Sequence, residues 1–114
     1  MKKVDEKDYH AILKKEENIL FLSGRLRLSG QDAYRPIIEL LEELVALEGD
    51  ILLDIQGLEF LNSSGIAMFS RFMLSCRKRG VGIITVLGSK DIAWQKKSLT
   101  NLQRLLPALV LEIL

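Results

Sequence analysis

The chain has 114 residues, of which 48% are hydrophobic, 27% charged and only 6% aromatic. This is the composition of a globular protein with an aliphatic core, and it excludes a disordered tail, a collagen-like chain and a small disulfide-rich scaffold. The length predicts one domain over residues 1–114. Residues 1–57 carry eight basic and twelve acidic side chains, whereas residues 58–114 carry eight and three, a polarity that favours docking onto another protein.

Cys76 is the only cysteine, which excludes an intramolecular disulfide, a zinc cluster and a Cys-x-x-Cys redox pair. The first residues lack the apolar stretch of a signal peptide, and no apolar run approaches the roughly 20 residues of a membrane span. We therefore expect a soluble, cytoplasmic protein that does not interact with a membrane.

The first half of the chain predicts a hairpin followed by a helix. Apolar runs at residues 9–13 and 19–22 flank a charged turn, which is typical of two antiparallel strands. Asp32 is placed to cap the next helix, and Gly49 is placed to end it. The apolar side chains of that helix recur at helical spacing, at Tyr34, Ile37, Ile38, Leu41, Leu44 and Val45.

The second half alternates strands and helices. Gly80 suits the exit of the first of these helices, and the second has a possible break near Lys97 and Ser98. The resulting order, β-β-α-β-α-β-α-β, predicts an α/β fold with crossover helices and a mixed, mostly parallel sheet that has an antiparallel edge. Strands are predicted at residues 51–55, 81–87 and 109–113, and helices at residues 63–79 and 92–106.

The residues do not assemble a catalytic constellation. The single histidine, His10, lies in the first predicted strand without an identifiable triad partner, and Cys76 lies on the apolar stripe of a helix, as a small buried side chain does. Gly24 and Gly30 match neither glycine-rich phosphate loop and are interpreted as turn residues. We expect no enzymatic activity, no cofactor and no metal.

Several basic residues of the second half are candidates for a nucleic-acid-binding patch. Aromatic stacking partners are few there, because Phe60 and Phe69 are interpreted as core residues, which leaves Phe72 and Trp94. A nucleic acid is therefore not the expected partner. The basic residues are Arg71, Arg77, Lys78, Arg79, Lys96, Lys97 and Arg104.

The most informative segment is residues 53–66, Leu-Asp-Ile-Gln-Gly-Leu-Glu-Phe-Leu-Asn-Ser-Ser-Gly-Ile, in which a strand leads into a helix. Asn62 or Ser63 can cap that helix, and Gly65 permits a close approach of the backbone to a neighbour. The two adjacent hydroxyls also lie at the positive end of the helix, where a phosphate group is tolerated. Such a phosphate adds about −1.5 to −2 charge and can repel an acidic partner without unfolding its own domain.

This segment resembles the signature of the STAS domains found in bacterial anti-sigma factor antagonists. That signature is a strand with an Asp, a short turn ending in Leu and an aromatic residue, and then Asp-Ser-Ser/Thr-Gly-Leu/Ile at the start of a helix. Ser23-Gly24-Arg25-Leu26 is similar to the family's Gly-x-Leu, and the resemblance extends over about residues 9–113. The matching signature residues are Asp54, Leu58, Phe60, Ser63, Ser64, Gly65 and Ile66.

The resemblance implies a partner-switching function. In this family the unphosphorylated domain binds a serine kinase of the histidine-kinase-like ATPase type that is also an anti-sigma factor, and phosphorylation of a serine at the helix start abolishes binding. A metal-dependent serine phosphatase reverses the modification. The resemblance implies Ser64 as the phospho-acceptor, with Ser63 as the second choice. The implied docking surface consists of Asn62, Ser63, Gly65 and Ile66, with Gly24, Arg25 and Leu26 nearby.

The chain departs from the family pattern at two places. Asn62 replaces the usual Asp, which preserves the helix cap but removes a negative charge beside the acceptor. Residues 94–97 and 105–107 are not family features and mark either a distinct partner surface or local packing.

Two other functions stay open from the residues. One is a module that binds a small anionic ligand or nucleotide at the same helix start with the help of Arg25. The other is a constitutive interaction scaffold in which the serines only cap the helix.

Overall fold

A computed structural model describes residues 1–80 and 82–114 of the chain. The predicted start of a strand at Val81 lies outside the described residues. The strands are β1 (Lys2–Asp5), β2 (Tyr9–Lys14), β3 (Ile19–Leu26), β4 (Ile51–Leu61), β5 (Ile84–Gly88) and β6 (Val110–Ile113). The helices are α1 (Gly30–Ala33), α2 (Arg35–Val45), α3 (Ser63–Arg79) and α4 (Ala93–Leu105), and a 3-10 turn occupies Lys15–Glu17.

The strands form one sheet in the order β1-β2-β3-β4-β5-β6. The pairs β1–β2 and β2–β3 are antiparallel, and the three pairs from β3 to β6 are parallel. The predicted α/β class, the hairpin and the mostly parallel sheet are therefore confirmed. The strand β1 was not predicted, and it adds a second antiparallel strand at the edge.

The helices α2, α3 and α4 cover one face of the sheet. Because β3 to β6 neighbour one another in chain order, successive right-handed crossovers place their helices on the same side. Alternate strand residues point into the core beneath this helix layer. The fully buried core side chains include Leu13, Leu20, Leu22, Leu53 and Ile55 from the sheet, and Tyr34, Ile37, Leu41, Leu44 and Met73 from the helical side.

Three predicted helix features are wrong. Asp32 does not cap α2: it lies within α1, and Tyr34 occupies the N-cap position without a side-chain cap bond. Pro36 supports this start, because its ring suits the first turn of a helix, where an N–H has no partner. The helix ends at Val45, ahead of Gly49, and α4 continues through Lys97 without a break.

The strand β4 contains two irregularities relative to β3, each with one extra residue on β4. They lie between Asp54 and Gly57 and between Leu58 and Phe60. After the second one, Phe60 lies at the surface with 41% of its area exposed, so its interpretation as a core residue is wrong. Phe69 is buried as predicted.

The helix α4 satisfies the backbone groups at these irregularities. The Gln95 side chain is fully buried, and its Nε2 donates to the carbonyl oxygens of Ile55 at 2.7 Å and Leu58 at 3.0 Å, while its Oε1 accepts from the Ser89 N–H at 2.7 Å. Trp94 Nε1 also donates to the Leu58 carbonyl, at 3.2 Å. Trp94 and Gln95 thus have a packing role in the structure, and Leu106 likewise belongs to the core.

Candidate functional site

Asn62 organises the junction between β4 and α3. Its backbone is extended, and its Oδ1 accepts from the Gly65 N–H at 2.9 Å, so it is the N-cap of α3. The same Oδ1 accepts from the Tyr34 hydroxyl at 2.7 Å, and Nδ2 donates to the Leu28 carbonyl at 2.8 Å. The Asn62 N–H donates to the Leu26 carbonyl at 3.1 Å. One side chain therefore ties the end of β3, the start of α2 and the start of α3 together.

This network bears on the presence of asparagine at position 62, where the family signature has aspartate. An amide at position 62 both accepts from Tyr34 and Gly65 and donates to Leu28, whereas an ionised carboxylate can only accept. Asparagine therefore makes one hydrogen bond here, to the Leu28 carbonyl, that an ionised aspartate would not make. Neither Tyr34 nor Leu28 was identified from the sequence as part of the site.

Gly65 lies where three parts of the site come into contact. A Cβ atom at this position would overlap the Leu61 side chain and lie 2.7 Å from the Tyr34 hydroxyl oxygen. The predicted close approach at Gly65 is therefore present, and it keeps Tyr34 in place beside the helix cap.

The two candidate phospho-acceptors have different surroundings. Ser63 is exposed at the first helical position, whereas Ser64 is half-buried at the second. The Gly30 N–H donates to Ser64 Oγ over a long 3.4 Å. Ser64 thus faces the segment between β3 and α2, while Ser63 faces solvent. Ile66, two residues after Ser64 on α3, is half-buried.

The residues expected near this site from β3 divide into exposed and buried ones. Gly24 has a φ of +92° at an irregularity of β3, and a Cβ there would overlap the backbone of Asp8. Arg25 is exposed and pairs in register with Phe60. Leu26 is fully buried, so its expected place on the docking surface is wrong, and Gly65 is buried as well. Both support the surface from beneath.

An aromatic and basic patch lies beside the helix start. The Arg27 guanidinium stands over the exposed Phe60 ring at 5.2 Å from its centroid, which is cation–π geometry. The sequence did not single out Arg27. Exposed apolar area next to a positive charge is typical of a protein-contact surface.

Arg25 and Arg27 also line a shallow cleft of about 330 Å³. Lys7 adds a third basic side chain to this cleft, but Glu6 and Asp8 line it too. Because acidic and basic side chains both line this cleft, its expected affinity for a free anion is lower than that of a purely basic cleft.

The other residues considered for chemistry have ordinary environments. His10 Nδ1 lies 2.7 Å from Asp5 Oδ1 as an exposed cross-strand pair. Burial raises the pKa of the Cys76 thiol to about 11, and Cys76 is part of the core as predicted. Within residues 1–80 and 82–114, no cluster of His, Cys, Asp and Glu could hold a metal ion. No helix in the described part of the chain is long and apolar enough to cross a bilayer.

Comparison with known families agrees with the fold and the signature. The STAS domain family profile matches residues 10–106. The chain belongs to the STAS domain family. No match was found among curated protein sequences.

Solved structures share the whole fold. A chain in the crystal structure of the diguanylate cyclase SiaD in complex with its activator SiaC, from Pseudomonas aeruginosa, superposes with a TM-score of 0.75 at 12% identity, covering 99% of this STAS chain and 98% of that chain. The structure of apo-SiaC from the same organism superposes with a TM-score of 0.71 at 12% identity and the same coverage. At these identities the likeness establishes the fold.

Proposed function

We propose that this STAS domain is a regulatory module that binds a protein partner through the surface at the start of α3, and that phosphorylation of Ser64 ends that binding. The observation that carries the proposal is the location of Ser64. Its hydroxyl lies in the first turn of a long helix, within hydrogen-bond reach of the Gly30 N–H, and the exposed Phe60 lies at the end of the strand that leads into this helix.

A phosphate on Ser64 is compatible with the fold. The positive end of α3 stabilises added negative charge, and the Gly30 N–H can donate to a phosphoryl oxygen. The Asn62 network lies beneath the surface and keeps its bonds, so the domain stays folded while the surface gains about −1.5 to −2 charge. A partner that contacts Ser63, Ile66 and Phe60 through acidic or apolar groups is then repelled.

The partner class is proposed from the partner-switching function that the family resemblance implies. The proposed partner is a serine kinase of the histidine-kinase-like ATPase type that also acts as an anti-sigma factor, with a metal-dependent serine phosphatase restoring the free hydroxyl. The domain itself has no catalytic role in this scheme.

The SiaC likeness favours a second class of partner. SiaC is an activator of a diguanylate cyclase, and this chain shares its fold over nearly its whole length. A signalling enzyme in place of an anti-sigma factor would use the same surface, and Ser64 would control it in the same way.

Phosphopeptide mapping of the protein purified from its source organism, with and without phosphatase treatment, tests the modification. A phosphatase-sensitive phosphate on Ser64 supports the proposal. A phosphate confined to Ser63 would move the acceptor to that residue, and no phosphate under any growth condition would contradict the switch.

Quantitative capture from a lysate of the same organism tests the binding. The wild-type chain and Ser64→Ala are expected to retain the same partner, and Ser64→Asp is expected to lose it. Ser75→Asp, at an exposed position three turns further along α3, is the matched control for charge alone and is expected to keep the partner. Partner retention by all four proteins would favour the constitutive scaffold.

A thermal-shift series with inorganic phosphate and nucleotides separates the ligand-binding alternative. A switch module keeps its melting temperature in these solutions, whereas a ligand-binding module is stabilised by mass action. Stabilisation that disappears in Arg25→Ala would favour the anion site.

A further inference from the structure

The face of the sheet opposite the helix layer carries an apolar stripe. Strand residues alternate between the two faces, so the neighbours of the buried core residues point to this open face. Its apolar side chains are half-buried and are not packed against the core. They are Ile12, Ile19, Phe21, Leu52 and Leu87.

The strand register places the open-face residues in rows across the sheet. One row, from β1 to β6, is Lys3, Ile12, Phe21, Asp54, Leu87 and Glu112. The next row, from β2 to β6, is Lys14, Ile19, Leu52, Thr85 and Val110. In each row large apolar residues occupy inner strands. None of the helices that the structure describes lies over them.

Charge is distributed unevenly along these rows. Lys3 and Lys14 lie on β1 and β2, and Lys14 Nζ stands 5.5 Å from the centroid of the Phe21 ring. Asp54 and Glu112 lie on β4 and β6. Within these two rows the open face is therefore basic toward β1 and acidic toward β6, with apolar residues between, while Asp5 on the same face of β1 pairs with His10 on β2.

We propose that this open face is a self-association surface on which a second copy of the chain packs, related by a two-fold axis parallel to the strands. This axis places β1 over β6, β2 over β5 and β3 over β4. Lys3 then faces Glu112 of the second copy, and Ile12 faces its Leu87. In the next row Ile19 faces Leu52 of the second copy.

The same axis brings Phe21 over Asp54 of the second copy. Because the Lys14 ammonium stands over the Phe21 ring, it is placed to pair with the Asp54 carboxylate of that copy. The arrangement thus pairs both basic residues with acidic ones and buries the apolar stripe. A two-fold axis perpendicular to the strands would instead place the basic edge on the basic edge. Charge complementarity selects the first arrangement, and aligned packing of two sheets is a common geometry.

The interface has a functional consequence. An axis parallel to the strands preserves their direction, so the two α3 starts lie at the same end of the dimer. Two Ser64 sites at one end suit a dimeric partner, because the second contact becomes intramolecular. Six strands about 4.8 Å apart make a face only about 24 Å wide, so we expect a reversible, concentration-dependent dimer.

Sedimentation velocity of the full chain over a wide concentration range tests this surface. The wild-type chain is expected to dimerise reversibly, and Leu52→Lys is expected to be monomeric. Leu74→Lys is the matched control, because Leu74 is an apolar residue on α3 with 42% exposure and lies away from the open face. A monomer at all concentrations, or a dimer that resists Leu52→Lys, would overturn the proposal.

A charge exchange tests the axis with exposed positions that leave the core intact. Lys3→Glu and Glu112→Lys are each expected to weaken the dimer about tenfold, because each places like charges opposite one another at both ends. The double variant is expected to restore wild-type association. Additive loss in the double variant would refute this axis. The measurement uses the isolated chain without a partner, so its failure leaves the Ser64 proposal untouched.

Discussion

The Tyr34 hydroxyl donates a 2.7 Å hydrogen bond to Asn62 Oδ1, and this bond joins the start of α2 to the cap of α3. Tyr34 is fully buried, so solvent has little access to its hydroxyl. Asn62 Nδ2 in turn donates a hydrogen bond to the Leu28 carbonyl oxygen. The surface around Ser64 is therefore positioned by a partly buried network that includes residues from three segments.

Asn62→Asp tests the donor side of this network. The carboxylate keeps the bonds from Tyr34 and Gly65 but faces the Leu28 carbonyl without a proton. A partly buried acceptor left without its donor costs about 1–3 kcal/mol, and the helix end returns about 0.3–1 kcal/mol, so the central values give a net loss of about 1 kcal/mol. Urea denaturation measures it, with exposed Ser63→Ala as the control. Equal stability of Asn62→Asp and wild type would contradict the role given to Leu28.

Gly65→Ala tests the close contact beneath the site. Alanine gains helix propensity of about 1 kcal/mol, yet its Cβ would overlap the Leu61 side chain and crowd the Tyr34 hydroxyl. Overpacking costs about 1–3 kcal/mol, so the net change is expected to be destabilising. Ala67, in the next turn, is half-buried, and Ala67→Gly should show the propensity loss alone. A stabilised Gly65→Ala variant would show that Tyr34 is free to move.

Much of the fold could be predicted because each long element has its own period. The helix from Ser63 to Arg79 and the hairpin of β2 and β3 follow from local patterns. The strand β1 was missed because Lys2–Asp5 contains one half-buried apolar residue, Val4, and so shows no alternation. It forms only because β2 offers a partner.

The site was predictable to the extent that it is local. The Asn62 cap could be predicted because it joins residues three positions apart. The contacts of Asn62 with Leu28 and Tyr34 join residues that are 34 and 28 positions apart, and no local sequence pattern indicates them. Phe60 was misplaced for a related reason. The irregularities of β4 exist relative to β3 and α4, so the side on which Phe60 emerges depends on tertiary contacts.

Gln95→Leu tests the support of β4 by α4. Leucine fits the burial but leaves the Ile55 carbonyl and the Ser89 N–H without their side-chain partner, while Trp94 still donates to Leu58. We expect a loss of about 3 kcal/mol in the free energy of unfolding. Gln103→Leu, which loses a single bond to the Leu109 carbonyl, should cost about 1 kcal/mol. Similar losses for the two variants would argue against a special role for Gln95.

Thiol labelling tests the packing of α3. Cys76 is 1% exposed, and burial raises its pKa to about 11, so about one thiol in a thousand is ionised at pH 8. Native protein is expected to react with a thiol reagent only as fast as it unfolds. Ser75→Cys in a Cys76→Ala background supplies an exposed thiol in the same turn as the control. Rapid labelling of native Cys76 would contradict its place in the core.

The alkaline stability of the chain tests the environment of Tyr34. Burial raises the pKa of the Tyr34 phenol above its ordinary value of 10.0, so the folded state holds the proton more tightly than the unfolded state. The contribution of the protonated Tyr34 phenol to the free energy of unfolding is fully present below pH 10 and is lost as the pH rises through the pKa of the folded state.

Urea unfolding at a series of pH values should therefore show a declining free energy of unfolding above pH 10. Tyr34→Phe is expected to be less stable at neutral pH but to have a shallower alkaline decline. Some alkaline decline in stability remains in that variant, because two other groups also have raised pKa values. Burial, with a smaller effect of the Glu6 charge, raises the pKa of Tyr9, and burial raises the pKa of Cys76. Tyr9→Phe is the matched comparison. An unchanged slope in Tyr34→Phe would mean that the folded protein lets the phenol ionise freely, and the bond to Asn62 would lose its structural role.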